Sequence, residues 1–236
     1  MDWRKIADDL ERKIQTRQLS PGDKLPSEHA LVRRYFVTRH VVRTALSKLA
    51  ERGLIHSSQG RGSYVQRPSL PVHIQRRTRF SETVRQAQAA HYHKTLRLVV
   101  EPASAAIARK FGARLGTPVL CLERMSMVNG QPSGIGTHYF LESRVSGFIE
   151  HYERTQSITA ALQALGIRDY VRVQTRILSR LPTPDEASLL EMPRHVPVII
   201  TQAINHDADG AMLEYGEARM AADRVELVIE PEKNLC

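Results

Sequence analysis

The stretch VTRHVVRTAL, residues 37–46, sets Arg39 and Arg43 four residues apart, beside Val42, Ala45, Leu46 and Leu49 at helical spacing. Wound as a helix, it has one apolar strip for packing and an adjoining strip with two guanidinium groups. Its neighbours say what such a helix belongs to. Upstream, Trp3, Ile6, Ala7, Leu10 and Ile14 share one helical face, which predicts a helix over 2–17. LSPGDKLP (19–26) interrupts with two prolines and a glycine, after which Ser27 is placed to cap a second helix bearing Ala30, Leu31 and Tyr35. Thr38 is placed to cap a third, which runs to Arg52 and stops at Gly53. LIHSS, QGRG and SYVQR then read as two short strands around a glycine-rich turn. Three helices followed by a hairpin make a winged helix-turn-helix.

The whole chain, 236 residues, has room for one large domain or two smaller ones. Apolar residues at 42% and charged residues at 25% are those of an ordinary soluble globular protein. No apolar run approaches bilayer-spanning length, and MDWRKIADDLERK is charged and helical in pattern, so neither a signal peptide nor an anchor is expected. Cys121 and Cys236 form neither a disulfide framework nor a metal spacing, which suits a reducing compartment and a cytoplasmic location. The charge is uneven. Residues 1–68 hold 14 Lys and Arg against 7 Asp and Glu, 69–80 add three arginines and no acid, and 81–236 hold 17 basic against 18 acidic residues. A basic third on a near-neutral remainder is the footprint of a nucleic-acid-binding module, with a solvated face or a surface for anionic lipid as the alternatives.

In a helix-turn-helix the second helix of the pair lies in the major groove, its N-terminal residues toward base edges. Arg39 and Arg43 fall in that half, and arginine grips guanine O6 and N7 with two hydrogen bonds. Thr38 and the amides of the helix start suit phosphate. Gly60 and Gly62 let the wing pass close to the DNA backbone, with Arg61 between them placed for the minor groove. Taken singly, each arginine is as well explained as solvated surface. Helix order, wing and charge together point to double-stranded DNA.

The run GDKLPSEHALVRRYFVTRHVVRTALSKLAERGLIHSSQGRGSYV (22–65) resembles the winged helix of the GntR family of bacterial transcription regulators. The likeness runs through PGDKLPSE, V-T/S-R-x-x-V-R-x-A-L, L-x-x-x-G-L-I and QGRGSYV. It implies DNA contacts at His29, Thr38, Arg39, Arg43, Gly60 and Arg61, with His40 and Gly62 beside them. His29 departs from the family's usual arginine, and His40 stands where a small hydroxyl residue is common, which leaves the operator sequence open.

QRPSLPVHIQRRTRFSE (66–82) carries two prolines and a basic cluster and reads as a linker over 68–80, in which Arg76 and Arg77 either add phosphate contacts or are solvated. The expected domains are therefore 1–67 and 81–236. Beyond the linker, Ser81 caps a helix to about Ala89, YHKTLRLVVEP is a strand and ASAAIARKFG a helix ending at Gly112. A hairpin turns about Asn129-Gly130, and Ser157 caps another helix. YVRVQTRILSRLP alternates as a strand, Val171, Val173, Thr175 and Ile177 on one face and Arg172, Gln174 and Arg176 on the other. Thr183, Pro184 and Glu186 open a helix as cap, first position and capping box, and further antiparallel strands follow. The class is α+β: an N-terminal winged helix-turn-helix and a C-terminal antiparallel-sheet domain.

This order resembles the effector domain of the HutC subfamily of GntR regulators, a chorismate-lyase-like fold, at LERMSMVNGQPSGIGTHYF and DGAMLEYGEARMAADR. RTRFSETV, VEPASAAIARKFG, MVNGQP, THYF and VQTRILSRLPTPDEA are most similar to regulators of phosphonate utilisation. The resemblance implies a ligand pocket at the sheet that includes Arg79, Phe80, Ser81, Arg124, Ser126, Glu214 and Tyr215. From the residues themselves, Ser81 at a helix start with Arg79 nearby offers amides, a hydroxyl and charge to an anion. Arg124, Tyr139 and Arg176 sit on strands as candidates to converge there, and arginine matches phosphate or phosphonate with two parallel hydrogen bonds. Ser126 replaces the second arginine of the subfamily's R-x-R, with Arg176 the candidate to compensate. Pairing with Glu123, Glu142 or Glu217 is the competing role for Arg124 and Arg176.

The expectation is a cofactor-free, ligand-responsive transcription regulator, a homodimer on a palindromic operator, with no membrane partner. Its implied task is to repress a phosphonate uptake or degradation operon until a phosphonate or phosphorylated metabolite, a small anionic effector, releases it. A sugar phosphate, a histidine-pathway acid or a metal ion are the alternative effectors. His91 and His93 share a strand face and His138 is a candidate third ligand, short of a complete metal set. A lyase-like enzyme is the reading from another class, but the chain holds no nucleophile elbow, P-loop, dinucleotide glycine turn or HExxH.

Overall fold

A computed structural model describes residues 2–58, 62–66, 70–74, 91–128 and 130–230. The chain divides into two compact units, Met1–Pro68 and Ser69–Cys236. In the first, α1 (Trp3–Gln15), α2 (Glu28–Tyr35) and α3 (Arg39–Glu51) precede a hairpin of β1 (Ile55–Ser58) and β2 (Gly62–Val65). The apolar strips meet in one cluster: Ile6 and Leu10 from α1, Leu31 from α2, Val42, Ala45 and Leu49 from α3, closed by Ile55 and Val65. Full burial of one such aliphatic side chain contributes about 1.5–3 kcal/mol, so tertiary packing rather than propensity holds these short helices.

Polar contacts set the angles between them. Tyr35 donates to Asp9 at 2.5 Å and Lys13 does so at 2.5 Å, tying α2 to α1. The Lys13 hydrogen bond, followed by that of Tyr35, holds the Asp9 carboxyl far below the usual range. The Ser27 hydroxyl caps α2 by accepting from the Ala30 amide. Thr38 occupies the N-cap of α3, but its side chain makes no capping hydrogen bond. At the wing, His56 and Tyr64 stack at 5.5 Å, and Lys24 bridges to the strand at Tyr64. Gly62 has φ +102, and a Cβ there would stand 3.0 Å from Lys24 Cε.

The second unit is built on a six-stranded antiparallel sheet, order β4-β5-β6-β9-β8-β7. Its strands are β4 (His91–Pro102), β5 (Pro118–Val128), β6 (Gln131–Leu141), β7 (Tyr170–Arg180), β8 (Val198–Asp207) and β9 (Met212–Ala221). Among the described residues four α-helices accompany it: α4 (Ala105–Phe111), α5 (Phe148–Thr155), α6 (Ile158–Ala164) and α7 (Pro184–Leu189). One face packs α5 and α6 through Leu122, Phe140, Phe148, Tyr152 and Leu162. The opposite face packs α4 through Ala108 and Val119, and α7 through Ala187, Leu190, Ile135 and Ile200. The α7 capping box forms as expected, Thr183 and Glu186 exchanging bonds, and Arg180 grips the same carboxylate at 2.6 and 2.7 Å. That grip, with the Thr183 amide, lowers Glu186 to about 2.

Two expectations change. Leu70–His73, inside the stretch read as linker, is a strand, β3, parallel to β10 (Val225–Val228), and its Leu70 and Val72 bury against Met220. In β7 the simple alternation fails, because the register with β8 jumps between Arg172, opposite Asn205, and Gln174, opposite Ile204. Val173 is thus a bulge residue. Arg172 shares a face with Thr175, and Gln174 and Arg176 point to the other. The helix expected over 81–89 lies outside the described residues. Among the described residues no helix is long and apolar enough to cross a membrane.

Phe36, at the turn between α2 and α3, is left-handed at φ 54 with its side chain 93% exposed. A left-handed L-residue costs roughly 1–2 kcal/mol, whereas glycine adopts this region freely but loses more chain entropy on folding. Phe36→Gly is therefore expected to raise stability by about 0.5–1 kcal/mol, read as a higher urea midpoint at unchanged m-value.

Candidate functional site

In the first unit the residues read as DNA contacts lie outside its core. His29, Thr38, Arg39, His40 and Arg43 are all exposed, since the apolar strip of α3 takes Val42, Ala45, Leu46 and Leu49 inward. The starts of α2 and α3 meet through Glu28: Arg39 Nε donates to its carboxylate at 2.7 Å, and Arg43 Nε stands 3.9 Å away. Glu28 escaped the sequence reading because an ion pair between two helices leaves no periodic signal. Gly62 begins β2 at the wing, while Gly60 and Arg61 lie outside the described residues.

In the second unit the register sorts the effector candidates. Across β5, β6 and β9, Arg124 opposes Gly136, Ser126 opposes Gly134 and His138 opposes Gly216, so these side chains share the face that carries α5 and α6. Glu214 joins them, opposite Asn205. Tyr139 and Tyr215 oppose each other on the other face, ring centroids 6.3 Å apart, and Arg176 opposes Gln202 there. Burial pushes Tyr215 up to about 12, helped by Glu217. The six candidates described among the effector set thus fall into two groups: Arg124, Ser126 and Glu214 on one face, Tyr139, Arg176 and Tyr215 on the other, with Arg79, Phe80 and Ser81 outside the described residues.

The face that carries α5 and α6 holds a buried polar constellation. His138 Nδ1 lies 2.5 Å from Glu214 Oε1, and the Asn205 amide donates to Oε2 at 2.6 Å. Burial works against the Glu214 charge, but the hydrogen bonds of His138 and Asn205, with the nearby Arg172, outweigh it and keep its pKa below the ordinary carboxylate value. Burial, opposed by Glu214 and reinforced by Arg124 and Arg172, presses the His138 imidazolium down. The carboxylate is the charged member, so the histidine proton belongs on Nδ1 and Nε2 is left as an acceptor. Gly136 keeps its neighbourhood clear, since a Cβ there would stand 3.2 Å from His138 Nε2 and the ring would have to shift by a few tenths of an ångström.

Arg124 is the deep cation. Burial lowers its pKa, while the Tyr152 hydroxyl and Glu214 favour its charge. Tyr152 reaches it from α5 and also lies 3.2 Å from Thr95. Ser126 meets His93 at 3.2 Å rather than standing beside a second strand arginine. Among the described residues, no group of three or more His, Cys, Asp and Glu is arranged to hold a metal. His138, Asn205, Tyr152 and Arg172 were not among the effector residues read from sequence. His138, Asn205 and Arg172 were hinted at only by their positions on alternating strands, the bulge hid Arg172, and Tyr152 reaches the sheet from α5.

A winged helix followed by an antiparallel sheet domain with helices on both faces is the architecture of a two-domain transcription regulator. The family "Bacterial regulatory proteins, gntR family" matches residues 3–65, and "UTRA domain" matches residues 86–226. An uncharacterized HTH-type transcriptional regulator of Rhizobium meliloti (strain 1021) is 38% identical over 97% of this chain and 94% of its own. The "Probable transcriptional regulator PhnF" of Escherichia coli K12 is 28% identical over the same shares. The crystal structure of PhnF from Mycobacterium smegmatis superposes with a TM-score of 0.68 at 24% identity, covering 97% of this chain and 99% of that one. The chain belongs to the GntR family of bacterial regulators, in its UTRA-domain branch, and is a transcriptional regulator. GntR regulators bind operator DNA, and the UTRA domain takes a small-molecule effector. The relatives are named as regulators rather than enzymes, which retires the lyase-like reading.

Asn205→Ala removes the donor to a buried carboxylate oxygen and is expected to cost about 1–3 kcal/mol. Urea unfolding checks it, and an unchanged midpoint contradicts a satisfied network at Glu214.

Proposed function

We propose that this protein represses a phosphonate uptake or degradation operon and leaves its operator when a phosphonate or related phosphorylated metabolite binds the second unit. The observation that carries the reading is Arg124, a half-buried, desolvated guanidinium on the sheet that meets the Tyr152 hydroxyl and, at longer range, the Glu214 charge, but makes no close ion pair among the described residues. A desolvated cation with no close counter-ion is costly, and a small anion relieves that cost. Relatives named PhnF, the phosphonate regulator, support the class of anion.

In this reading Thr38, Arg39, His40, Arg43 and His29 face the operator, with Gly60, Arg61 and Gly62 supplying the wing. A homodimer presents two such surfaces to a two-fold operator. Glu28 holds Arg39 in place without burying it, and an exposed pair of this kind is worth only about 0–1 kcal/mol, so DNA competes for the arginine readily. Arg79, Phe80 and Ser81 are assigned to the anion with Arg124, Ser126 and Glu214. Effector binding shifts the population between a dimer that fits the operator and one that does not.

The test is fluorescence anisotropy of the operator with purified full-length protein at fixed salt, titrated with phosphonates, sugar phosphates and carboxylic acids. Release by phosphonates is expected, and tight binding that no phosphorylated compound alters rejects the assignment. Arg43→Ala is expected to weaken specific binding by about 1–3 kcal/mol, the worth of a bidentate contact to guanine. Arg124→Ala is expected to retain operator affinity and lose release; a normal response would displace the pocket from this face.

A further inference from the structure

Arg39 opens α3, Arg43 follows one turn later, and both reach toward a carboxylate that belongs to another helix. Glu28, the first residue of α2 behind its Ser27 cap, accepts from Arg39 Nε at 2.7 Å through Oε2. Its other oxygen, Oε1, stands 3.9 Å from Arg43 Nε. One half-buried carboxylate, its side chain 34% exposed, is thus set between two arginine side chains that are 78% and 71% exposed. Surface pairs of this kind add little stability. An acid in the first turn of α2 suits the positive end of that helix, but this does not account for two guanidiniums turned toward it.

The atom that Glu28 engages decides what Arg39 can still do. A guanidinium has a side, Nε with one Nη, and an end, the two Nη groups, and guanine O6 and N7 together accept two of these donors. Glu28 takes Nε, which closes the side of Arg39 and leaves its end to whatever faces α3. Part of the rotamer freedom that a long side chain loses on binding is then already given up in the free protein. The same carboxylate treats two kinds of DNA atom differently. Guanine O6 and N7 are uncharged acceptors, and the Nη end meets them with Glu28 still in place. A phosphate sets a second negative charge beside the first, so holding one at Arg39 costs the Glu28 contact.

We infer that Glu28 is a positioning residue for operator recognition: it presents Arg39 end-on to base edges, draws Arg43 toward the same carboxylate, and opposes phosphate at both. Its effect is on the ratio of specific to non-specific DNA binding rather than on affinity as such. The inference rests on the operator-facing assignment of Arg39 and Arg43 above.

Fluorescence anisotropy of the full-length protein tests it, comparing the promoter duplex that adjoins its own gene with a shuffled duplex of the same length and composition, over a series of salt concentrations. Glu28→Gln is expected to lower affinity for the promoter duplex about threefold and to raise it for the shuffled duplex about threefold, the scale of one surface charge contact. On the shuffled duplex its salt slope is expected to steepen by about one per protomer, as Arg39 takes a phosphate. Glu28→Asp keeps the charge but is a methylene short of Arg39, so it is expected to lose promoter affinity with no gain on the shuffled duplex. In an Arg39→Ala background the loss caused by Glu28→Gln is expected to shrink toward nothing. The full loss persisting there means that Glu28 serves only the end of α2 and overturns the inference, as does an unchanged ratio of the two affinities in Glu28→Gln. If Arg39→Ala itself binds the promoter duplex as wild type does, the operator-facing assignment fails and takes this inference with it. Should circular dichroism show that Glu28→Gln does not fold, Glu28→Asp decides, and wild-type promoter affinity in that variant overturns the positioning role.

Discussion

The pairing of β6 with β9, His138 opposite Gly216 and Tyr139 opposite Tyr215, governs the second unit. Side chains on a strand alternate, so a slip of one residue would exchange the two faces entirely. In the observed register His138 meets Glu214 and Phe140 meets the α5 and α6 core, while Tyr139, Tyr215 and Glu217 face away. Everything polar under α5 follows from that choice. Two of the four register shifts in the sheet, in β4 between Thr95 and Arg97 and in β7 at Val173, lie beside side chains of the constellation: Thr95, which meets Tyr152, and Arg172, whose charge bears on Glu214.

The two faces of this sheet handle charge differently. On the α7 face Glu186 and Glu123 are paired with Arg180 and Arg219, so every one of these cations has a carboxylate within reach. Those contacts lock α7 onto the sheet. On the α5 face the balance among the described residues tips to the cations, and the one carboxylate of the cluster there, Glu214, is shared between His138 and Asn205. An interior that is neutralised on one side and left electropositive on the other is poorly explained by stability alone, because unpaired buried charge opposes folding. In the proposed reading an anionic effector supplies the missing charge.

The first unit uses exposure where the second uses burial. Arg39 and Arg43 keep contact with water and with Glu28, so they can exchange a weak surface ion pair for phosphate or base edges. Its core is made almost wholly of aliphatic residues, and its few internal polar ties, such as Tyr35 with Asp9, set helix geometry.

Much of this was legible in the residues. Helical spacing located α1, α2 and α3; Ser27, Ser157 and the Thr183–Glu186 box marked helix starts; and Gly130 marked the hairpin. These signals are local, arising from dihedral preferences and from hydrogen bonds that close within a few residues. Arg124, Ser126 and Glu214 were also readable as candidates, because their motif spans one hairpin and one strand. What sequence alone could not determine was which candidates meet. Arg172 and Arg176 are equivalent by alternation, and Tyr215 is as near to Glu214 in sequence as any residue can be, yet each pair is divided between opposite faces of the sheet. The bulge at Val173, the strand at Leu70–His73 and the pairing of Glu28 with Arg39 depend on partners far along the chain. Local chemistry therefore determined the elements and the kinds of group available, and the long-range register of the sheet decided which of them share a site.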